Sequence, residues 1–231
     1  MQKTYFILLC LIFSACKSGQ TQHTEQTVPS AFNLVDKNAT AKTLALYQDL
    51  KKISKTGFLY GHQDDLAYGV GWWHEEGRSD VKDVCGSYPA VFGWDLGNLG
   101  NERNLDSVLF SDIQKWIVKV DEAGGINTMS WHMDNPVNLE DSWDKTKAVY
   151  SILPGGEKHQ YYKNRLKTFA NFNAPLVNKR GEAIPIIFRP FHEQNGSWFW
   201  WGKGHCTVDE YKSLWQFTIN YLRDSLNMHN L

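Results

Sequence analysis

Cysteine, proline and surplus charge are all scarce in this chain, and each scarcity removes a class of protein. Only 4 of the 231 residues are Cys, and Cys10 and Cys16 fall in the N-terminal leader, leaving Cys85 and Cys206 for a folded part. A disulfide framework is therefore excluded, and at most one bridge could form. With 7 Pro and 42% hydrophobic residues, the chain is neither collagen-like nor a low-complexity or disordered polymer. Lys+Arg 24 against Asp+Glu 25 leaves a formal charge of -1, which provides no field to draw in a polyanion and argues against nucleic acid as a partner. Long apolar runs are missing as well: Tyr5 to Phe13 spans about nine residues, where a membrane-spanning helix needs about 20. The G-x-G-x-x-G turn, the G-x-S-x-G elbow and the H-E-x-x-H pair do not occur. Tryptophan, by contrast, is abundant, with 10 residues.

The leader reads as an address. Lys3, the short apolar run and small residues before Cys16 have the shape of an export signal. Phe13-Ser-Ala-Cys16 resembles a bacterial lipoprotein signal, in which cleavage before Cys16 leaves that residue lipidated. The alternative is a plain secretory signal with an incidental Cys. Residues 1–15 are thus a signal peptide, 16–34 a polar flexible tether, and 35–231 the folded portion. The expected location is the cell envelope, with the chain held through Cys16 at the outer membrane or cell surface.

The folded portion alternates between strand and helix patterns. Ala41, Leu44, Tyr47, Leu50 and Ile53 recur at helical spacing before Gly57, and Phe58–Gln63 then reads as a strand. A short helix over Ser79–Val84 should stop at Gly86, followed by a strand from Pro89 to Asp95. Leu109, Ile113, Trp116 and Val120 mark a helix face closed by Gly124-Gly125, and Ile126–His132 is a third strand. A helix over about 158–177 leads to a fourth strand, Ile184–Glu193, and Thr207-x-x-Glu210 is a capping box opening the last helix. Strand starts near 58, 89, 126 and 184 lie 31, 37 and 58 residues apart, the scale of consecutive βαβ units. The fold class is α/β with parallel strands. Polar and aromatic residues gather where each strand ends, as they do at the active face of a (β/α) barrel.

Four strand ends carry candidate chemistry: His62-Gln63-Asp64-Asp65, Trp94-Asp95, Trp131-His132 and His192-Glu193. Glu193 is followed by Trp198-Phe199-Trp200-Trp201, so its carboxyl is expected to be desolvated and its pKa raised, as suits a proton donor. The alternative is a strand-end Glu in a surface salt bridge. Trp72, Trp73, Trp94, Trp131, Trp198, Trp200 and Trp201 fall at strand ends or in the loops after them; as a cluster they suggest a cleft stacking on sugar rings, while any single one of them reads as packing rather than platform. His62, His132 and His192 are possible metal ligands without an accompanying ligand motif, and no metal or cofactor is assigned. Ser130 and Ser197 read as structural.

Arg189-Pro-Phe-His-Glu193-Gln-Asn-Gly-Ser-Trp198-Phe-Trp-Trp-Gly202 resembles the acid/base segment of glycoside hydrolase family 26, the endo-β-1,4-mannanases, which are retaining enzymes with (β/α)8 TIM barrels. Gly61-His62-Gln63, Pro89 to Asp95 and Ser130-Trp131-His132-Met-Asp-Asn135-Pro136 support the resemblance, which covers roughly residues 38–226. It implies Glu193 as general acid/base, His192 on sugar hydroxyls near the scissile bond, and Trp198 stacking at the leaving-group side. His132 and Trp143 would line the non-reducing side, with Trp94, Asp95 and Arg189 as further substrate contacts. The implied substrate is β-mannan or a manno-oligosaccharide. β-1,3-Xylan and mixed-linkage β-glucan are alternatives within the family, and a non-catalytic glycan-binding lipoprotein is the alternative outside enzymology.

One requirement of the family is unmet. A retaining mechanism needs a second carboxylate ~5–5.5 Å from the first, and in this family it is a Glu ending the seventh strand. Only 38 residues follow Glu193, whereas four further βα units need more than ~120 residues. The expectation is a truncated barrel with about its first four βα units, its nucleophile lying beyond this chain. Asp64, Asp95 and Asp134 are the carboxylates that could substitute. Such a half-barrel has open strand edges and is expected to associate, aggregate or pack loosely.

Overall fold

A computed structural model describes residues 34–231, so the expected signal peptide and Cys16 lie outside the described residues. Helix α1 (Ala41–Ile53) starts at Thr40, whose side chain accepts from the Thr43 N–H, and it buries no residue fully. The Lys42–Asp121 ion pair at 2.7 Å ties it to a later helix. Strand β1 is Gly61–Gln63, and an unanticipated antiparallel hairpin follows, β2 (Tyr68–Gly69) with β3 (Trp72–Trp73). Helix α2 (Asp80–Cys85) is capped by Ser79 and ends on Gly86 at φ 77°, the left-handed conformation that glycine adopts without a Cβ penalty. Then come β4 (Val91–Asp95), α3 (Phe110–Glu122), β5 (Ile126–Ser130), α4 (Val149–Ile152), α5 (His159–Asn173), β6 (Ile186–Arg189) and α6 (Val208–Asn220). The expected capping box is formed by Thr207 and Glu210, and a π-helical turn, Tyr221–Ser225, continues α6.

The strands pair in the order β1-β4-β5-β6, every pair parallel and every neighbour the next unit in sequence. Strand alternation then decides which side chains meet helices. On β4, Trp94 stacks on Trp116 of α3 at 6.0 Å. After β5, Trp131 stacks on Phe169 of α5 at 5.9 Å, and Phe188 of β6 stacks on the same ring at 4.1 Å. Asn127 bridges the layers too, accepting from Trp94 Nε1 and donating to the Ile117 carbonyl. The opposite face presents Asp95, Thr128, Ser130 and Arg189, with Arg189 Nε donating to Thr128 Oγ1 at 3.0 Å. Helices on one face of a sequentially ordered parallel sheet are the arrangement of a barrel wall, since a doubly wound sheet is covered on both faces.

Several expected boundaries move: β4 starts at Val91 rather than Pro89, and β5 ends at Ser130, short of His132. The first strand begins at Gly61, leaving Phe58 86% and Tyr60 57% exposed. Gly57 does not cap α1; Ser54 does, its N–H reaching the Leu50 carbonyl. Helix α5 ends at Asn173 ahead of Pro175. Strand β6 stops at Arg189, because Pro190 has no N–H to continue the ladder, so His192 and Glu193 sit in the turn beyond it. Cys85 and Cys206 are both free thiols. Among the described residues no helix is long and apolar enough to cross a membrane.

Candidate functional site

Parallel strands bring Asp95, Ser130, His132 and the turn after β6 to one end of the sheet, since residues 95 and 130 are register partners and Ser130 pairs with Arg189. Asp95 is almost wholly buried. Its Oδ2 faces His132 Nδ1 at 2.7 Å and accepts from Ser130 Oγ at 2.6 Å, while Oδ1 accepts from the Gly97 N–H at 2.7 Å. Burial works against the charged form, but the His132, Ser130 and Gly97 contacts together outweigh it and hold the Asp95 carboxyl below its ordinary value.

His132 is the hub. Its Nε2 lies 3.2 Å from His192 Nε2. The half-exposed Trp143 indole lies parallel to its ring at 4.9 Å, and Phe199 meets it edge-on at 5.1 Å. Asn135 shapes the loop that carries Trp143 by donating to Asp144 Oδ1 and the Thr146 carbonyl. His192 is pushed below the usual histidine range by burial, then by His132 and Arg189, against the opposing charges of Asp95 and Glu193.

Glu193 has φ 55°, a left-handed conformation that a residue with a Cβ adopts at a cost. The desolvation expected for it does not occur: its side chain is exposed, and Oε2 accepts from Trp198 Nε1 at 2.8 Å. Trp198 folds over Gly196, where any Cβ would overlap its ring. Trp200 and Trp201 anchor the loop from beneath, donating to the carbonyls of Met133 and His192 at 2.9 Å each.

The proposed tryptophan cleft needs correction. Trp72, Trp94, Trp131, Trp200 and Trp201 are all at most 6% exposed and form core and loop supports. Trp94 in particular is fully buried and turned toward α3, so it has no surface to offer a substrate; Asp95, its neighbour, alternates to the other face. Asp95 in turn is sealed behind His132 and reaches a ligand only through that ring. Trp73, Trp143 and Trp198 are the exposed indoles. Arg189 is exposed on the site's face, and His62 sits apart, paired with Asp65 at 2.9 Å.

Three participants escaped the sequence reading. Phe199 is one ring in an aromatic run, Ser130 reads as structural, and Asp106 lies in a loop without a motif. Asp64, named among possible substitutes, is fully buried at φ 50° with Oδ1 lacking a partner. Burial, then the charges of Asp106 and Asp95, push its carboxyl up to about 7. Asp134 is half-buried and also pushed up by burial. No cluster of three metal-ligating side chains occurs among the described residues.

The family model of Glycosyl hydrolase family 26 matches residues 35–231. A mannan endo-1,4-beta-mannosidase from Bifidobacterium adolescentis is 36% identical over 211 residues, 87% of this chain and 21% of its own. One from Bacillus subtilis is 24% identical, covering 74% of this chain and 49% of its own. Among solved structures, a family 26 beta-mannanase from Bacteroides ovatus superposes with TM-score 0.80 at 45% identity, over 83% of this chain and 56% of that one. The catalytic domain of an endo-beta-1,4-mannanase from Bacillus sp. JAMB-750 gives 0.79 at 39% identity, over 86% and 54%. The chain spans about half the length of these solved relatives, and 21% and 49% of the two curated ones.

Proposed function

The chain belongs to glycosyl hydrolase family 26, and on that premise we propose that it carries the acid/base half of an endo-acting, retaining glycoside hydrolase for internal β-1,4-mannosidic bonds. The observation that carries the proposal is the exposed Glu193 carboxylate, fixed by an unusual backbone conformation and one indole hydrogen bond beside the His132–His192 pair. The Trp198 N–H occupies Oε2 and leaves Oε1 to carry the proton given to the glycosidic oxygen. After the leaving group departs, the same carboxylate takes a proton from water as the glycosyl intermediate is hydrolysed. His132, His192, Trp143 and Trp198 bind the sugars on either side, and Arg189 lies within reach of the same face.

Neither buried carboxylate suits the nucleophile: Asp95 has both oxygens engaged, and Asp64 is closed off from solvent. Asp134 is half-buried, and burial favours its protonated form over the ionised one a nucleophile needs, so we place the nucleophile outside residues 34–231. The names of the similar proteins favour mannan as substrate. The test is Glu193→Gln in the gene's complete product. Turnover of mannan should fall about 10²–10⁴-fold with oligosaccharide affinity retained, whereas unchanged turnover refutes the assignment. Assays with β-1,3-xylan and mixed-linkage β-glucan rank the alternative substrates. We further propose a lipid anchor at Cys16 and a cell-envelope location; labelling with an alkynyl fatty acid should be lost in Cys16→Ala, and retained labelling refutes the anchor.

A further inference from the structure

Asp95 is buried, touches no solvent-facing surface of its own, and ends a chain of contacts that runs Asp95–His132–His192. An ionised carboxylate only accepts hydrogen bonds, so His132 Nδ1 must carry a hydrogen. In the neutral ring Nε2 is then bare. It faces His192 Nε2 at 3.2 Å, with the two rings edge-on at 82°. Two bare nitrogens would repel there, and so would two N–H groups, which obliges His192 to carry its hydrogen on Nε2. The remaining nitrogen, His192 Nδ1, is buried without a partner. As a bare acceptor it is the less costly orphan, since buried N–H groups without acceptors are the rarer case. At its other end His192 is held by Trp201 Nε1 on its carbonyl, and the next residue is Glu193.

We propose that Asp95 is a positioning residue that sets the tautomers of both His132 and His192 and, through His192, the placement of Glu193. The tautomer assignment stands on hydrogen-bond geometry alone, whereas its relevance to sugar binding rests on the function proposed above. The Asp95→Asn variant separates the two. The Gly97 N–H cannot rotate away, so it retains the Asn oxygen and turns the amide NH₂ toward His132 Nδ1. His132 must then become the Nε2–H form and His192 the Nδ1–H form. Ser130→Ala removes a neighbouring hydrogen bond without reversing a donor.

The experiment is long-range ¹H–¹⁵N correlation of the imidazole nitrogens at about pH 8, above the ordinary histidine pKa of about 6.5, in wild type and both variants. Expected are Nδ1–H on His132 and Nε2–H on His192 in the wild type and in Ser130→Ala, with both assignments exchanged in Asp95→Asn. The opposite tautomers in the wild type, or no exchange in the Asn variant, overturn the relay. If the Asn variant does not fold, the wild-type and Ser130→Ala spectra decide the assignment. Titration of the same samples with mannohexaose completes the test. Binding about tenfold weaker in Asp95→Asn, one hydrogen bond's worth, supports positioning. Unchanged binding overturns it, and a wild type that binds nothing refutes the functional reading while leaving the tautomer relay intact.

Discussion

Asp64→Asn should flatten the pH dependence of stability. The Asp64 carboxyl is fully buried with one oxygen unpartnered, and its pKa rises from the ordinary 3.8 to about 7. Because the folded value lies above the unfolded one, the folded state binds more protons between them, so stability falls as pH rises through that window. At about 1.36 kcal/mol per pH unit, linkage costs the wild type about 1.5 kcal/mol by pH 5 and about 4 kcal/mol by pH 8. The loss specific to this group between the two is therefore about 2.5 kcal/mol. Asn has the same shape and no charge to bury. Urea unfolding of both proteins across that range isolates the group and its coupling to Asp106 and Asp95, because titrations independent of Asp64 cancel in the difference. The Asn variant should gain about 2.5 kcal/mol on the wild type from pH 5 to pH 8. Two parallel profiles would show that Asp64 is ionised without penalty and would refute the reasoning.

Trp94→Phe should lower stability by about 1–3 kcal/mol, from lost volume and a stranded Asn127 acceptor, while oligosaccharide affinity is unchanged; a binding defect would contradict its burial. Trp143→Ala should do the reverse. It removes a half-exposed ring stacked on His132, weakening mannohexaose binding by about tenfold, the worth of one aromatic stack, with little change in the unfolding midpoint. The open edge of β1, with Phe58, Tyr60 and Val84 exposed beside it, should drive association of the 231-residue chain. Light scattering should give a mass that rises with concentration above one chain, and a constant monomer mass would refute this.

The face of α3 was legible because it rests on a periodicity: Ile113 and Val120 bury as the spacing demands, whereas the helical spacing over α1 buries no residue fully. The capping box at Thr207 and the glycine stop at Gly86 were equally local. Strand ends were less so, since a two-residue slip separates a ladder residue from a turn, and Pro190 alone marked the end of β6. Trp94 and Trp131 were misread for one physical reason. A strand end presents two consecutive residues to opposite faces, so Trp94 and Trp131 pack against helices while Asp95 and His132 face the site. Applying strict alternation to those dipeptides would have separated them. The burial of Asp64 and the exposure of Glu193 depend on how loops close, and no local pattern encodes that.

The most direct test of the proposal, a mannan-binding site holding one of two catalytic carboxylates, is to incubate the purified 231-residue chain with mannohexaose, following binding by calorimetry and cleavage by mass spectrometry. Saturable binding with the hexasaccharide left intact is the predicted result. Release of shorter manno-oligosaccharides that depends on Glu193 would place the nucleophile within this chain and contradict the account.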